Sequence, residues 1–524
     1  MSRFHLHVTC AAPVVDERHF FSGEFRMPRP IVFIHGYSAN GAAFDPLRDA
    51  LVAYCSGPGK TALDPADIDI CTYVSLNNEV TITDIAEGLD RALRSLPRFA
   101  DGQEFDVIVH STGMLVIRAW LTNQARPAGM NTRLKRIKHL IGVAPATWGS
   151  PQASKGRTFL GALVKGNRQI GPDFLNAGDR VLQGLELGSA FTWNLAHLDL
   201  LGQQPFYDKG PDTPFVSIFI GNRGYEGVDS IANSPGSDGT VRWAGCALNT
   251  RKITLDLTRT PVNRDGRDQR FSITPWVDSR IDIPMIAVDD RDHGSLIAEP
   301  EPGMVALIAD FLQVGEPGGE TYEAWLERAR KYGEKGKQRM LVNPAEGASL
   351  GEGQAARFFE HLIGANPDEP LDGWQQFVVH AVDTHGYGIN DYFLELFLVE
   401  GDGSRTPCQQ LLNDVHAYGV DNSFRCFHVK LPRGITDGGR GLIARIHAST
   451  GTDLMCYQGY GDNQEKLTAS AEPVELNISA LAEESGSFFC PFTTTLIEIQ
   501  LNREPLPLNE VSRLLMFLTP KADA

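Results

Sequence analysis

From about residue 28 the chain alternates short apolar runs with segments of helical spacing, and this alternation constrains the fold more than any other feature. A strand apolar along its whole length is covered on both faces, and a helix between two such strands is the crossover that parallel pairing requires. Ile31-Val32-Phe33-Ile34 is the first such run. Helical spacing follows over 44–54, then a strand over 68–74. Ile82, Ile85, Leu89 and Leu93 recur at three- and four-residue intervals, with Asp84 and Glu87 near the start, where a helix dipole favours acids. Residues 105–109 read as a strand, 112–123 as a helix, and 139–144, 215–220 and 284–288 as further strands, before a closing helix over 303–312. The expected class is α/β, a parallel sheet covered by helices.

The interval 150–212 interrupts the alternation with large apolar residues, among them Phe159, Leu163, Phe174, Leu182, Phe191 and Trp193. A connector of this length would be polar, so a mainly helical insertion is expected, either an extra packed layer or a lid over a site. Residues 314–369 mix Gly/Pro turns with a charged helix near 321–335 and read as a linker carrying a helix. Beyond 370 the period shifts toward two, over 377–382, 392–399, 425–431, 442–447, 474–478 and 494–501. Short strands between Gly/Asp/Asn turns indicate an all-β, sandwich-like domain. The expected organisation is therefore 1–313, a linker 314–369, and a β domain 370–524.

Charge follows the same division. Against a total of −17, residues 1–313 carry 35 acidic and 31 basic side chains (net −4), and 373–524 carry 19 and 10 (net −9). This balance argues against nucleic acid as a partner. The nearly neutral first part leaves room for peripheral lipid contact, with 150–212 as the expected place and Lys155, Arg157, Lys165 and Arg168 as either a solvated face or a phosphate site. No apolar run is long enough for a transmembrane helix. Residues 1–25 lack the apolar core of a secretory signal, so a cytoplasmic protein is expected, with non-classical export left open. The eight cysteines show no metal-ligand spacing and read as reduced thiols. Asp383, Asp391, Asp402, Asp414, Asp421 and Asp437 are loose calcium candidates without EF-hand spacing, better read as turn residues. No metal or cofactor is implied.

The chemistry concentrates at strand ends. Val109-His110-Ser111-Thr112-Gly113 spans the end of a predicted strand and the start of a predicted helix, with Val109 where a G-x-S-x-G elbow has its first glycine. His35-Gly36-Tyr37-Ser38 follows the first strand. Ser237-Asp238-Gly239-Thr240-Val241 follows the strand at 215–220, and Asp292-His293-Gly294-Ser295 follows that at 284–288. Asp238 could instead be an ordinary Asp-Gly turn, with Asp229 nearby, and Asp289, Asp290 and Asp292 read as shaping the loop before His293.

On these motifs, residues ~28–313 resemble an α/β-hydrolase of the bacterial lipase/esterase type. Ser-Asp-Gly-Thr-Val at 237–241 is similar to the acid-bearing segment of bacterial lipases and lecithin:cholesterol acyltransferase-like enzymes. Gly149-Ser150-Pro151 resembles a segment of that group and of glycosylphosphatidylinositol-deacylase-like proteins, in which the following insertion covers an acyl pocket. The order Ser111…Asp238…His293 is that of the superfamily. The resemblance implies Ser111 as nucleophile, His293 as base and then acid, and Asp238 as its orienting partner. It further implies backbone donors at Tyr37 and Thr112 for an oxyanion, with His35, Gly36, His110 and Gly113 as supports. The function expected is serine carboxylic-ester hydrolysis through an acyl-enzyme, on a small-molecule or lipid ester with an apolar acyl chain. A phospholipase or acyltransferase docked by its C-terminal β domain is the alternative. Oligomeric state is not legible.

Overall fold

The computed structural model describes residues 29–37, 39–100, 102–122, 132–156, 178–207, 209, 212–225, 233–262, 268–275, 283–341, 370–436, 440–481, 487–508, 510 and 514–515. Five parallel strands come first: β1 (Ile31–Ile34), β2 (Ile68–Cys71), β3 (Phe105–His110), β4 (Ile137–Val143) and β5 (Phe215–Gly221). Next come β6 (Thr250–Asp256) and β7 (Phe271–Thr274), which belong to another sheet, and then β8 (Met285–Val288), which completes the parallel one. The order across this sheet is β2-β1-β3-β4-β5-β8. All residues of β1, β3 and β5 are buried, as largely apolar central strands covered on both faces demand. The second strand stops at Cys71, short of the expected 74, because the chain turns there to stack Tyr73 on His35 and leave Val74 exposed.

The helices are α1 (Asp45–Cys55), α2 (Ile82–Ser95), α3 (Gly113–Thr122), α4 (Pro151–Gly156), α5 (Asp179–Leu185), α6 (Ala190–Asp199), α7 (Trp243–Cys246), α8 (Ser295–Ala298), α9 (Pro302–Phe311) and α10 (Tyr322–Met340). A capping box between Thr81 and Asp84 starts α2, which turns Ile82, Ile85, Leu89 and Leu93 into the core. Every residue of α3 is buried, since α2 and α6 cover the face turned away from the sheet. Within the insertion, 178–207 is a packed layer: α6 buries Trp193, Leu195 and Ala196, and Asp199 pairs with Arg118 of α3 with neither side chain exposed. The lid and phosphate-site readings bear on 157–177, Lys155 and their neighbours, which lie outside the described side chains. The charged helix α10 is also structural. Its Trp325 is fully buried, and Gly333 and Gly336 face Ile286 and Ala287 of β8, where a methyl on Gly336 would come within 2.6 Å of the Ala287 carbonyl.

The C-terminal strands are β9 (Leu371–Asp383), β10 (Asp391–Val399), β11 (Arg405–Pro407), β12 (Leu412–Ala417), β13 (Phe424–Pro432), β14 (Gly441–Ser449), β15 (Met455–Tyr460), β16 (Lys466–Thr468), β17 (Val474–Asn477) and β18 (Thr494–Pro505). A four-stranded antiparallel sheet runs β11-β10-β14-β17. A larger sheet runs β12-β13-β9-β18-β15-β16, and β6 joins it in parallel to β18, followed by β7. The division read at 313 thus does not separate the sheets, because 250–256 and 271–274 are strands of the C-terminal one. Both faces of the centre of this larger sheet are buried, while its edge strand β12 is mostly exposed. Phe377, Val379 and Ala381 of β9 meet the smaller sheet in one core, while Trp374 and Val378 meet the α/β unit in another. Alternation along one strand therefore serves two cores.

Among the described residues no helix is long and apolar enough to cross a membrane. Asp402 and Asp421 accept backbone N–H bonds in turns, Asp383 pairs with Arg503, Asp414 pairs with Arg242, and Asp437 lies outside the described residues.

Candidate active site

Ser111 stands between β3 and α3 with φ 53°, a left-handed conformation that a non-glycine residue adopts only under constraint. Two neighbouring segments supply it. The Ser111 N–H donates to Val143 O at 3.3 Å, and Ser111 O accepts from Ala146 N at 3.0 Å and Met114 N at 3.2 Å. Glycine is required on both sides of the turn. A methyl on Gly113 would run into the Ile34 carbonyl, so α3 starts hard against β1. A methyl on Gly36 would sit 2.8 Å from Ser111 Cβ, so the loop after β1 presses its backbone onto the serine. Val109, in place of the elbow's first glycine, is fully buried within β3.

The loop after β8 brings His293 to the same end of the sheet. Its Nδ1 is 2.9 Å from Asp238 Oδ2, and its backbone N–H donates to Asp238 O at 2.9 Å. The other carboxylate oxygen of Asp238 accepts from Thr240 N at 3.0 Å and Val241 N at 2.8 Å. One oxygen of Asp238 thus makes the turn bonds while the other faces His293. Asp238 is fully buried, and Ser111 and His293 are nearly so. Asp292 caps its own turn through Gly294 N and Ser295 N, whereas Asp289 pairs with Lys335 and Arg339. Asp229 lies outside the described residues.

The supporting histidines have defined partners. His110, adjacent to Ser111, places its ring 4.7 Å from that of His293, and its Nε2 donates to the His293 carbonyl at 3.0 Å. Burial, helped by the neighbouring His293, pushes the His110 imidazole down to about 3, so it is neutral at ordinary pH. His35 stacks on Tyr73 at 4.2 Å, donates from Nδ1 to Gly36 O at 2.7 Å and accepts from Tyr73 N at 3.3 Å. Burial lowers its pKa too, against the effect of the Gly36 bond. It fixes the strand-end loop that carries Gly36 and Tyr37. Thr112 is fully buried at the start of the helix, and Tyr37 is half-buried beside Gly178.

The sequence did not reveal what holds the Asp238 turn. Ser150 Oγ donates to Thr240 O at 2.6 Å, Thr147 Oγ1 to Cys246 O at 2.8 Å, and Trp148 Nε1 to Ala247 O at 2.8 Å. The Gly-Ser-Pro segment was the one signal of this clamp, and it gave no hint of the partners. Among the described residues no group of three or more His, Cys, Asp or Glu side chains could hold a metal ion.

With this geometry the structure can be compared with known proteins. It is similar to the phospholipase PlaB from Legionella pneumophila, with a TM-score of 0.66 at 19% identity, over 95% of this chain and 97% of that one. The chain has the α/β-hydrolase fold. A second PlaB structure, in complex with thio-NAD, gives the same TM-score, identity and coverage. The mature lipase BlEst2 from Bacillus licheniformis matches at TM-score 0.31 and 14% identity, over 51% of this chain and 86% of that one. No family model and no curated protein matches the sequence. The likeness to PlaB extends across both the hydrolase sheet and the C-terminal sheets, so the appended β region is part of a shared architecture.

Proposed function

We propose that the protein is a serine carboxylic-ester hydrolase acting on lipid esters. The observation that carries this reading is the His293–Asp238 pair at the sheet end where Ser111 is held at φ 53° beneath Gly36. In the proposed reaction Ser111 Oγ attacks the acyl carbonyl while its proton passes to His293, and Asp238 stabilises the imidazolium formed. The carbonyl oxygen, now negative, is received by the backbone N–H groups of Tyr37 and Thr112. His293 then protonates the leaving alcohol, giving an acyl-serine, and water activated by the same histidine releases the acid. Phospholipids are the favoured lipid class because the full-length structural neighbour is a phospholipase. An acyltransferase would differ only in the acceptor of the second step.

The decisive experiment measures p-nitrophenyl ester turnover by wild type and Ser111→Ala over chain lengths from acetyl to palmitoyl, with fluorophosphonate labelling of both. Loss of turnover and label in a folded Ser111→Ala supports the proposal; undiminished turnover refutes it. A phospholipid panel then separates phospholipase from lipase, and an added alcohol acceptor separates transfer from hydrolysis.

A further inference from the structure

The turn that carries Asp238 is a closed hairpin. Ser237 bridges Arg242, Asp238 N donates to Val241 O at 3.1 Å, and Trp243 N donates to Gly236 O at 2.9 Å. On one side Ser150 of the α/β unit bonds it at Thr240 O, and Thr147 and Trp148 hold the residues that follow it at Cys246 O and Ala247 O. Its other side lies on the C-terminal sheet. Gly236, at φ 71°, leaves no room for a methyl, which would come within 2.6 Å of the Trp374 ring and 2.7 Å of the His428 ring. Those two rings, on β9 and β13, are stacked with centroids 5.0 Å apart. Thr494 Oγ1 of β18 donates to Ala244 O at 3.0 Å.

Arg242 closes the contact. Its side chain is fully buried, yet its guanidinium donates to the Asp414 carboxylate on β12 and, at 3.6 Å, to Cys426 Sγ on β13. Asp414 itself is half-exposed. Burying a guanidinium against a partly solvated carboxylate is a poor way to gain stability, since an apolar side chain would avoid the desolvation. What the planar donor fork adds is direction, fixing the hairpin against two strands at once. The neighbouring His428 is held neutral by burial and by Arg242, so it does not compete for the carboxylate.

We infer that the C-terminal sheet is a positioning element of the active site, acting through Arg242 and Asp414 on the hairpin that presents Asp238 to His293. This rests on the proposed role of Asp238 and deepens it. The β region is then a fixed wall of the catalytic machinery instead of a tethered binding module, and Arg242 is a positioning residue that touches no reacting atom.

The test uses the full chain, with Arg242→Met, Arg242→Lys, Asp414→Ala and Ser111→Ala assayed on p-nitrophenyl butyrate. Near-UV circular dichroism checks folding, and the downfield proton signal of the His293 Nδ1–H bond reports on the pair. Arg242→Met should lower kcat by about 10–100-fold with KM within about threefold, and broaden that proton signal. Arg242→Lys should recover part of kcat, and Asp414→Ala should fall between Arg242→Met and wild type. Because Asp414 is half-exposed, its variant keeps the test decisive should Arg242→Met fail to fold. Wild-type kcat and an unchanged proton signal in folded Asp414→Ala, or in folded Arg242→Met, overturn the inference. If Ser111→Ala retains full turnover, the underlying serine reading fails instead, and the two failures are told apart.

Discussion

Asp238 holds His293 twice, through a carboxylate oxygen 2.9 Å from Nδ1 and through its carbonyl oxygen 2.9 Å from the histidine backbone N–H. The second bond fixes the loop and the first fixes the ring, so Nδ1 carries the proton toward Asp238 and Nε2 keeps its lone pair, as the proposed role of base requires. Asp238→Asn should keep the backbone bond and the Oδ1 turn bonds while facing Nδ1 with an amide donor, which favours the wrong tautomer. The expected outcome is a kcat lower by about 10³–10⁴-fold with KM little changed, measured beside a thermal unfolding curve. A variant within tenfold of wild type would remove Asp238 from the proposed mechanism.

Gly36 offers a sharper steric test. A methyl there would lie 2.8 Å from Ser111 Cβ, closer than real side-chain contacts allow. The loop or the serine must move to relieve this contact, and a misplacement of about 1 Å is costly in catalysis. Gly36→Ala should reduce kcat by about 10²-fold, and overpacking should cost about 1–3 kcal/mol of stability. Urea unfolding and esterase assays on the same preparation check both, and unchanged activity would show that the loop does not register the serine.

Much of the α/β unit was legible in the sequence, because parallel strands buried on both faces are largely continuous apolar runs, and candidate site residues follow their ends. His35, Ser111 and His293 lie within a few residues of such runs, whereas Asp238 lies 17 residues beyond the end of β5. The strand β6 was not legible. Arg251, Lys252 and Asp256 mask the inward Ile253 and Leu255, and its partner β18 lies 244 residues on, as the Thr250–Thr494 bond records. Arg242 was equally silent, since nothing local in Val241-Arg242-Trp243 announces a carboxylate 172 residues away. Local pattern reports which face a residue turns to a core, and a pairing this distant leaves no periodic trace.

Arg118 and Asp199 form an ion pair with neither side chain exposed, with bonds of 2.8 Å and 2.9 Å, while Tyr207 donates to the same carboxylate at 2.8 Å. The pair ties α6 to the helix that begins beside Ser111. Removing one partner leaves an uncompensated buried charge, so Asp199→Leu should cost about 3–5 kcal/mol. The double variant Arg118→Met/Asp199→Leu should recover most of that loss. Equilibrium urea unfolding of the four proteins gives the coupling, and additive single losses would contradict a buried pair.

Acid sensitivity follows from histidines kept neutral in the fold. Burial pushes His110 down to about 3 and His380 to about 4, and it lowers His428 well below the ordinary value. For each, the unfolded chain binds the proton more readily than the folded one. Their contribution is therefore complete above about pH 6.5 and declines as pH falls toward the depressed values. Each histidine that stays neutral steepens the loss toward about 1.4 kcal/mol per pH unit. Glu301, Glu475 and Glu498, held below their usual range despite burial, add to the loss only below about pH 4.5. The interval from pH 6.5 to 5 therefore belongs to the histidines. Urea midpoints at pH 7.5, 6.5, 5.5 and 5.0 should fall progressively, and His428→Phe should flatten the slope. A pH-independent midpoint over this range would show that these imidazoles are not kept neutral by the fold.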